Sequence, residues 1–164
     1  MPTQVLAHRL ALPDDPDLDQ FSSGNPEVDR YFVNRAFGKG KLTTYQFFLP
    51  DGSKVGYAAV AIRKTPDPTD ASTTKAKYLV VYAFGLHQRF QGSRNAAGDT
   101  LAVQAFRLLE EEARNAGCAG LSLWVRQDNP RAIGFYKKNG MTADPGGAVQ
   151  RDQAAPHLTM RKPV

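Results

Sequence analysis

The sequence holds one cysteine, Cys118, and one tryptophan, Trp124. A single thiol excludes an internal disulfide and a cysteine-cluster metal site. No apolar run approaches the ~20 residues that a bilayer-spanning helix needs. The opening stretch, Met1 to Leu12, lacks the basic segment, apolar stretch and small-residue cleavage site of an export signal. A cytoplasmic protein with no membrane partner is the expectation. The chain also lacks a P-loop lysine followed by Ser or Thr and the three spaced glycines of a dinucleotide fingerprint, so nucleotide hydrolysis and hydride transfer are poor readings.

What is present suits one folded domain, residues 1–164. With 41% hydrophobic and 23% charged residues, 164 residues suffice for a sizeable core. Lys and Arg outnumber Asp and Glu by 21 to 16, a net charge of +5 that suits an anionic ligand without requiring nucleic acid.

Local signals divide the chain into elements. Thr3 to Leu12 alternates weakly and reads as an edge strand, ended by Pro13, Asp14, Asp15 and Pro16. After a loop, Asn25 and Pro26 form a helix start, and Val28, Tyr31, Phe32, Arg35 and Ala36 supply its face up to Gly38 and Gly40. Thr43 to Leu49 and Val55 to Ile62 flank Pro50-Asp51-Gly52 and read as a hairpin. Lys64 to Lys77 is polar and aperiodic, a long connection. Tyr78 to Leu86 is a nearly continuous apolar run, as for a strand buried on both faces. A polar loop, His87 to Gly98, leads to Asp99 as cap of a long helix whose apolar face is Leu101, Ala105, Leu108, Leu109 and Ala113. Leu121 to Val125 is a buried strand, Asn129-Pro130 opens a helix through Lys138, and His157 to Arg161 is a last strand. This order predicts an α/β fold on a mixed sheet.

Two blocks carry chemistry. The first is the strand, glycine-bearing loop and helix start from Tyr78 to Leu101, where backbone N–H groups and the helix dipole make a place for phosphate. Arg89 and Arg94 add positive charge; a capped surface loop is the plain alternative. In the second, helical spacing sets Asn129, Ala132 and Tyr136 near one face, close to the end of strand Leu121–Val125.

Together, in this order and separation, the blocks resemble the GNAT family of N-acetyltransferases. The likeness covers most of the chain and is strongest from Tyr78 to Met141. It implies a GNAT-like fold, a mixed and mostly antiparallel sheet with helices on both faces, and acetyl-CoA as cofactor. Carried over residue by residue, it implies that the backbone of Phe84, Gly85 and Leu86 pairs with the pantetheine arm. It implies that Gln91, Gly92, Ser93, Arg94, Asn95, Ala96, Ala97 and Gly98 wrap the pyrophosphate, that Asn129 contacts the CoA arm, and that Tyr136 is the general acid. The family pattern is Gln or Arg, two residues, Gly, one residue, then Gly or Ala. Here Arg94 and Ala96 follow Gln91 at those positions, and a two-residue lengthening that puts Ala96 and Gly98 at the small positions restores the pattern.

A further resemblance lies in Phe21-Ser22-Ser23-Gly24-Asn25-Pro26-Glu27-Val28-Asp29, followed by an aromatic helix and by Val55-Gly56-Tyr57. It is similar to the subgroup of these enzymes that act as toxins by acetylating aminoacyl-tRNA. That likeness implies aminoacyl-tRNA as acceptor and an antitoxin protein as partner; a homodimer is an open alternative to a monomer. An acetyltransferase for a small-molecule or protein amine is the alternative. A non-enzymatic CoA-binding module is weakened by the presence of both Asn129 and Tyr136.

Plainer readings stand beside these. Tyr136 on an apolar face is, by itself, a packing residue. His87 reads as a solvent-exposed loop histidine, with a base beside the acyl site as the alternative. Trp124 and Phe135 read as core, Cys118 as a small residue at a strand entrance, and Glu110 to Glu112 as a solvated helix end. Lys39, Lys41, Lys64, Lys75 and Lys77 read as scattered surface, with an RNA-facing patch as the alternative. The central strand has no carboxylate, which favours an amine of low pKa as acceptor.

Overall fold

The computed structural model describes residues 6–12, 14–34, 42–66, 75–92, 94, 98–144 and 156–164. Its elements run β1 (Ala7–Leu10), a 3₁₀ turn (Pro16–Gln20), α1 (Pro26–Val33), β2 (Thr43–Phe48), β3 (Lys54–Pro66), β4 (Lys75–Leu86) and a 3₁₀ turn (Gln88–Phe90). Then follow α2 (Leu101–Asn115), β5 (Gly120–Arg126), α3 (Pro130–Lys138), β6 (Thr142–Ala143) and β7 (His157–Pro163). The strands hydrogen-bond in the order β1-β2-β3-β4-β5-β7-β6, a mixed seven-stranded sheet. The chain divides into two compact units, Met1–Ala61 with Tyr82–Leu109, and Ile62–Val81 with Glu110–Val164.

In the first unit β1 pairs antiparallel with β2, from Ala7 opposite Phe48 to Leu10 opposite Tyr45, and β2 pairs antiparallel with β3. The β2–β3 hairpin closes where Gly52, at φ +88°, donates to Leu49 O at 2.8 Å, the turn that Pro50-Asp51-Gly52 predicts. Its core joins Leu18, Phe21, Phe32, Tyr57, Ala59 and Ala83. Phe21 stands edge-on to both Phe32 and Tyr57, with ring centroids 5.2 and 5.5 Å apart. α1 begins as its sequence predicts: the Asn25 side chain accepts from Glu27 N and Val28 N, and Pro26 follows in the first turn.

In the second unit the Tyr78–Val81 part of β4 pairs parallel with Gly120–Leu123 of β5, and β5 pairs antiparallel with β7 along its whole length. Tyr78, Leu79, Val80, Leu121, Leu123, Val125, Met141 and Met160 are buried. The paired segments of β4 and β5 are apolar apart from the buried Ser122, as suits a parallel pair.

Several expectations change. The first strand is Ala7–Leu10, shorter than Thr3 to Leu12. Positions 3–5 lie outside the described residues, as do Pro13, Arg35, Ala36, Gly38, Lys39, Gly40 and Lys41. The described helix α1 ends at Val33, with Asn34 as its cap. The connection Lys64 to Lys77 is narrower than predicted, because β3 runs on to Pro66 and β4 begins at Lys75. Arg63 and Lys64 point to solvent there, so polarity marks exposed strand and not loop. Thr100, not Asp99, caps α2: its hydroxyl accepts from Val103 N at 3.2 Å, while Asp99 turns to Arg107 at 2.7 Å. Trp124 and Phe135 are half-buried and not core. The two 3₁₀ turns and the two-residue β6 carry no sequence signal strong enough to read.

Candidate active site

In the first unit the strand segment Phe84-Gly85-Leu86 is held from two sides. A Cβ on Gly85 would lie 2.8 Å from Val28 Cγ1 and 3.2 Å from both Phe21 Cζ and Ser23 Cβ. A Cβ on Gly56 of β3 would lie 2.3 Å from Gly85 O and 2.9 Å from Leu86 Cα. Glycine is therefore required at both positions by close approach of backbone and side chains. The β4–β5 ladder ends at Val81 opposite Leu123, so Tyr82–Leu86 lies beyond it.

The loop after β4 turns back on the strand. Gln91 Nε2 donates to Leu86 O at 3.0 Å and to Ser23 O at 2.6 Å. Gly92 and Gly98 hold φ of +83° and +85°, conformations open to glycine, and no atom lies within 4 Å of where a Cβ would stand on either. Arg94 Nη1 donates to Gly98 O at 2.7 Å, and Arg94 forms a β-bridge with Thr100, which closes the loop at the start of α2. Ser93, Asn95, Ala96 and Ala97 lie outside the described residues. Thus the structure joins Gln91 to Leu86 and Ser23, outside the loop, and Arg94 to Gly98 within it.

In the second unit Asn129 and Tyr136 share α3. Asn129 caps the helix, its Oδ1 accepting from Ala132 N at 3.2 Å. Tyr136 lies two turns on, half-buried, with the Phe135 ring centroid 5.4 Å from its own. Burial pushes its phenol up to about 12, so it holds its proton throughout the neutral range. The end of the helix is fixed by Asn139 Nδ2 donating to Phe135 O at 2.8 Å and Met141 N donating to Tyr136 O at 3.0 Å, with Gly140 at φ +89°.

His87 is not the exposed loop histidine that its surroundings in sequence suggest. It is 7% exposed, and its Nε2 lies 2.8 Å from Asp17 Oδ2. Asp17 Oδ2 also takes the Tyr57 hydroxyl at 2.9 Å; that hydroxyl lies 2.9 Å from Asp15 Oδ2 and accepts from Gln46 Nε2 at 3.0 Å. Asp15 binds Lys54 Nζ at 2.5 Å and also accepts from Gln46 Nε2. Burial pushes the Asp15 carboxyl up, but hydrogen bonds from Lys54, the Asp17 N–H and Tyr57, with the Lys54 charge, outweigh it and hold the group below its ordinary value. Burial, together with both carboxylates, raises the Tyr57 phenol, against the Gln46 amide. Sequence reading misses this network because Asp15 and Asp17 sit among turn-forming residues. The available signal is polar Gln46 at an inward position of an apolar strand.

A family model described as the acetyltransferase (GNAT) family matches residues 11–141. No curated protein matches the chain. Among solved structures, AtaTR bound with acetyl-CoA is 17% identical with a TM-score of 0.62, over 95% of this chain and 93% of that one. AtaT complexed with acetyl-methionyl-tRNAfMet is 18% identical with a TM-score of 0.63, over 96% and 94%. Naa20 of Chaetomium thermophilum in complex with a bisubstrate analogue is 18% identical with a TM-score of 0.62, over 96% and 86%. At these identities the likeness is one of fold.

Proposed function

The chain belongs to the acetyltransferase (GNAT) family, and from that premise we propose an N-acetyltransferase that moves the acetyl group of acetyl-CoA to a primary amine of low pKa, the α-amino group of aminoacyl-tRNA. The observation that carries the donor reading is the loop that follows β4, anchored where Gln91 Nε2 donates to Leu86 O and Ser23 O and closed where Arg94 Nη1 donates to Gly98 O. Positive-φ Gly92 and Gly98, with open space beside them, suit a loop that approaches a pyrophosphate closely.

When bound, acetyl-CoA supplies an activated thioester. The chain's residues do the rest. A backbone N–H of the Phe84–Leu86 segment steadies the developing oxyanion. Tyr136 keeps its proton for the departing thiolate. Asn129 Oδ1 is spent on the helix cap, which leaves its amide N–H groups for the CoA arm.

The acceptor follows from an acid that β4 lacks. Lys75–Leu86 contains no Asp or Glu to take a proton from the attacking amine. A lysine amine of pKa near 10.4 needs roughly 4–5 kcal/mol to be neutral at pH 7, whereas an α-amino group near 7.7–8.0 needs about 1. The net charge of +5 and the fold likeness to AtaT complexed with acetyl-methionyl-tRNAfMet support RNA over a peptide N-terminus. On this reading the protein is one cytoplasmic domain, toxin-like, with an antitoxin protein as partner.

Labelled acetyl-CoA offered with aminoacyl-tRNA, N-terminal peptides, lysine peptides and polyamines tests it. Acetylation of aminoacyl-tRNA, slowing steeply as salt rises, is the expected result. Charge reversal at exposed Arg30 of α1 should flatten that dependence. Aminoacyl-tRNA left untouched at low salt while a polyamine or lysine peptide is acetylated near neutral pH would overturn the acceptor reading.

A further inference from the structure

The His87–Asp17 pair is a buried histidine–carboxylate contact that the proposed reaction does not use, and it stands one residue beyond the donor strand. Five hydrogen bonds converge there. His87 N donates to Val55 O at 2.8 Å, which ties the end of β4 to β3. Gln88 N donates to Ser22 O at 2.9 Å, and Gln91 spans Ser23 O and Leu86 O. His87 Nε2 reaches Asp17 at the base of the segment that carries Ser22 and Ser23. The segment is itself braced, since Asp29 Oδ1 accepts from Ser23 N at 2.7 Å and from Ser23 Oγ at 2.6 Å.

We propose that His87, held by Asp17, is a positioning residue for bound acyl-CoA: it fixes the first turn of the phosphate loop, Gln88 to Gln91, against the Phe21–Asp29 segment. The inference rests on the acetyl-CoA reading above. An ionised carboxylate only accepts, so the shared proton lies on Nε2 and the imidazole serves as a donor. Asp17 is in turn oriented by Tyr57, and Tyr57 by Gln46 and Asp15, so the donor strand's end is referred back to a buried network and not to a mobile surface side chain. Such an arrangement acts on cofactor affinity. It has no part in the bond-making step.

The two roles open to His87, positioning and proton acceptance, separate by substitution. Glutamine carries an N–H donor at about the reach of imidazole Nε2 but takes no proton at neutral pH; leucine carries neither. Acetyl-CoA binding by calorimetry, with kcat and KM on the same preparations, should show an affinity about tenfold weaker in His87→Leu. In His87→Gln it should fall within about threefold of the parent, and kcat at saturating acetyl-CoA should stay within about twofold in both. Asp17→Asn, which keeps shape and an acceptor oxygen, should weaken affinity by about threefold with kcat unchanged, and carries the test if His87→Leu does not fold. Unchanged affinity in a folded His87→Leu or in Asp17→Asn overturns the proposal. A loss of kcat shared by His87→Leu and His87→Gln at constant affinity also overturns it and makes His87 a proton acceptor. If the parent chain binds no acetyl-CoA at millimolar concentration, it is the donor reading that fails.

Discussion

Glu110 Oε1 lies 2.5 Å from Lys162 Nζ, and the same ammonium donates to Asn139 O at 2.8 Å. One lysine of β7 thereby ties the last turns of α2 to the end of α3. The acidic run Glu110 to Glu112 is thus not uniformly a solvated helix end. Its first member is a tertiary contact, placed 52 residues from its partner in sequence.

Tyr136→Phe removes one hydroxyl and almost no volume. Turnover should fall by the ~10²–10⁴-fold typical of a general acid, with melting temperature and acetyl-CoA affinity retained. Because burial holds the parent phenol up to about 12, kcat should show no alkaline loss from this group between pH 8 and 10.5. A fall in that interval that disappears in Tyr136→Phe would contradict the raised phenol, and wild-type turnover in Tyr136→Phe would contradict the assignment as general acid.

Asp15 gives an acid-side prediction. Its carboxyl titrates below the ordinary value in the folded chain, so its contribution is fully present above the unfolded value of about 3.9 and is lost as pH falls through the folded one. Urea midpoints of the parent and Asp15→Asn should differ by a constant amount from pH 7 to 5. The gap should close below pH 4.

Gly56→Ala should be far more damaging than Gly52→Ala. The added methyl at position 56 meets a backbone carbonyl at 2.3 Å, which cannot rotate away, whereas at position 52 it meets open space at φ +88°. Because main chain must shift, the cost at the first should exceed the ~1–3 kcal/mol of ordinary overpacking, against roughly 1–2 kcal/mol of backbone strain at the second. Equal shifts in chemical denaturation would refute the close approach of β3 and β4.

Cys118 is 7% exposed, and burial raises its thiol, with only partial relief from the Lys77 charge. Alkylation of the native protein at pH 7.5 should be at least tenfold slower than of the urea-unfolded chain, since the thiolate is the reactive form. Comparable rates would mean that the strand entrance opens freely.

Signals confined to a few consecutive residues are legible in the chain. Asn25-Pro26 and Asn129-Pro130 start helices, and Pro50-Asp51-Gly52 turns the hairpin, because each supplies its own cap or backbone angle. Where two adjacent residues compete for one role, sequence gives no ranking: Asp99 and Thr100 both cap well, and the arginine one helical face along, Arg107, draws Asp99 away. Relationships across long separations are invisible. The His87–Asp17 pair spans 70 positions and Tyr57–Asp15 spans 42, so a buried charge network reads as loop and strand polarity. At the candidate site, the residues that the family pattern marks are recognisable, and those that hold them in place are not.

The contact between Gly56 and the carbonyl of Gly85 also bears on how this sequence can drift. Every amino-acid substitution at either glycine adds at least a Cβ, and at position 56 the added carbon runs into main chain that only a shift of the neighbouring strand would clear. Relatives that keep a strand end like this one should therefore keep glycine at position 56 whatever residue stands at 85, since every residue there carries the same carbonyl.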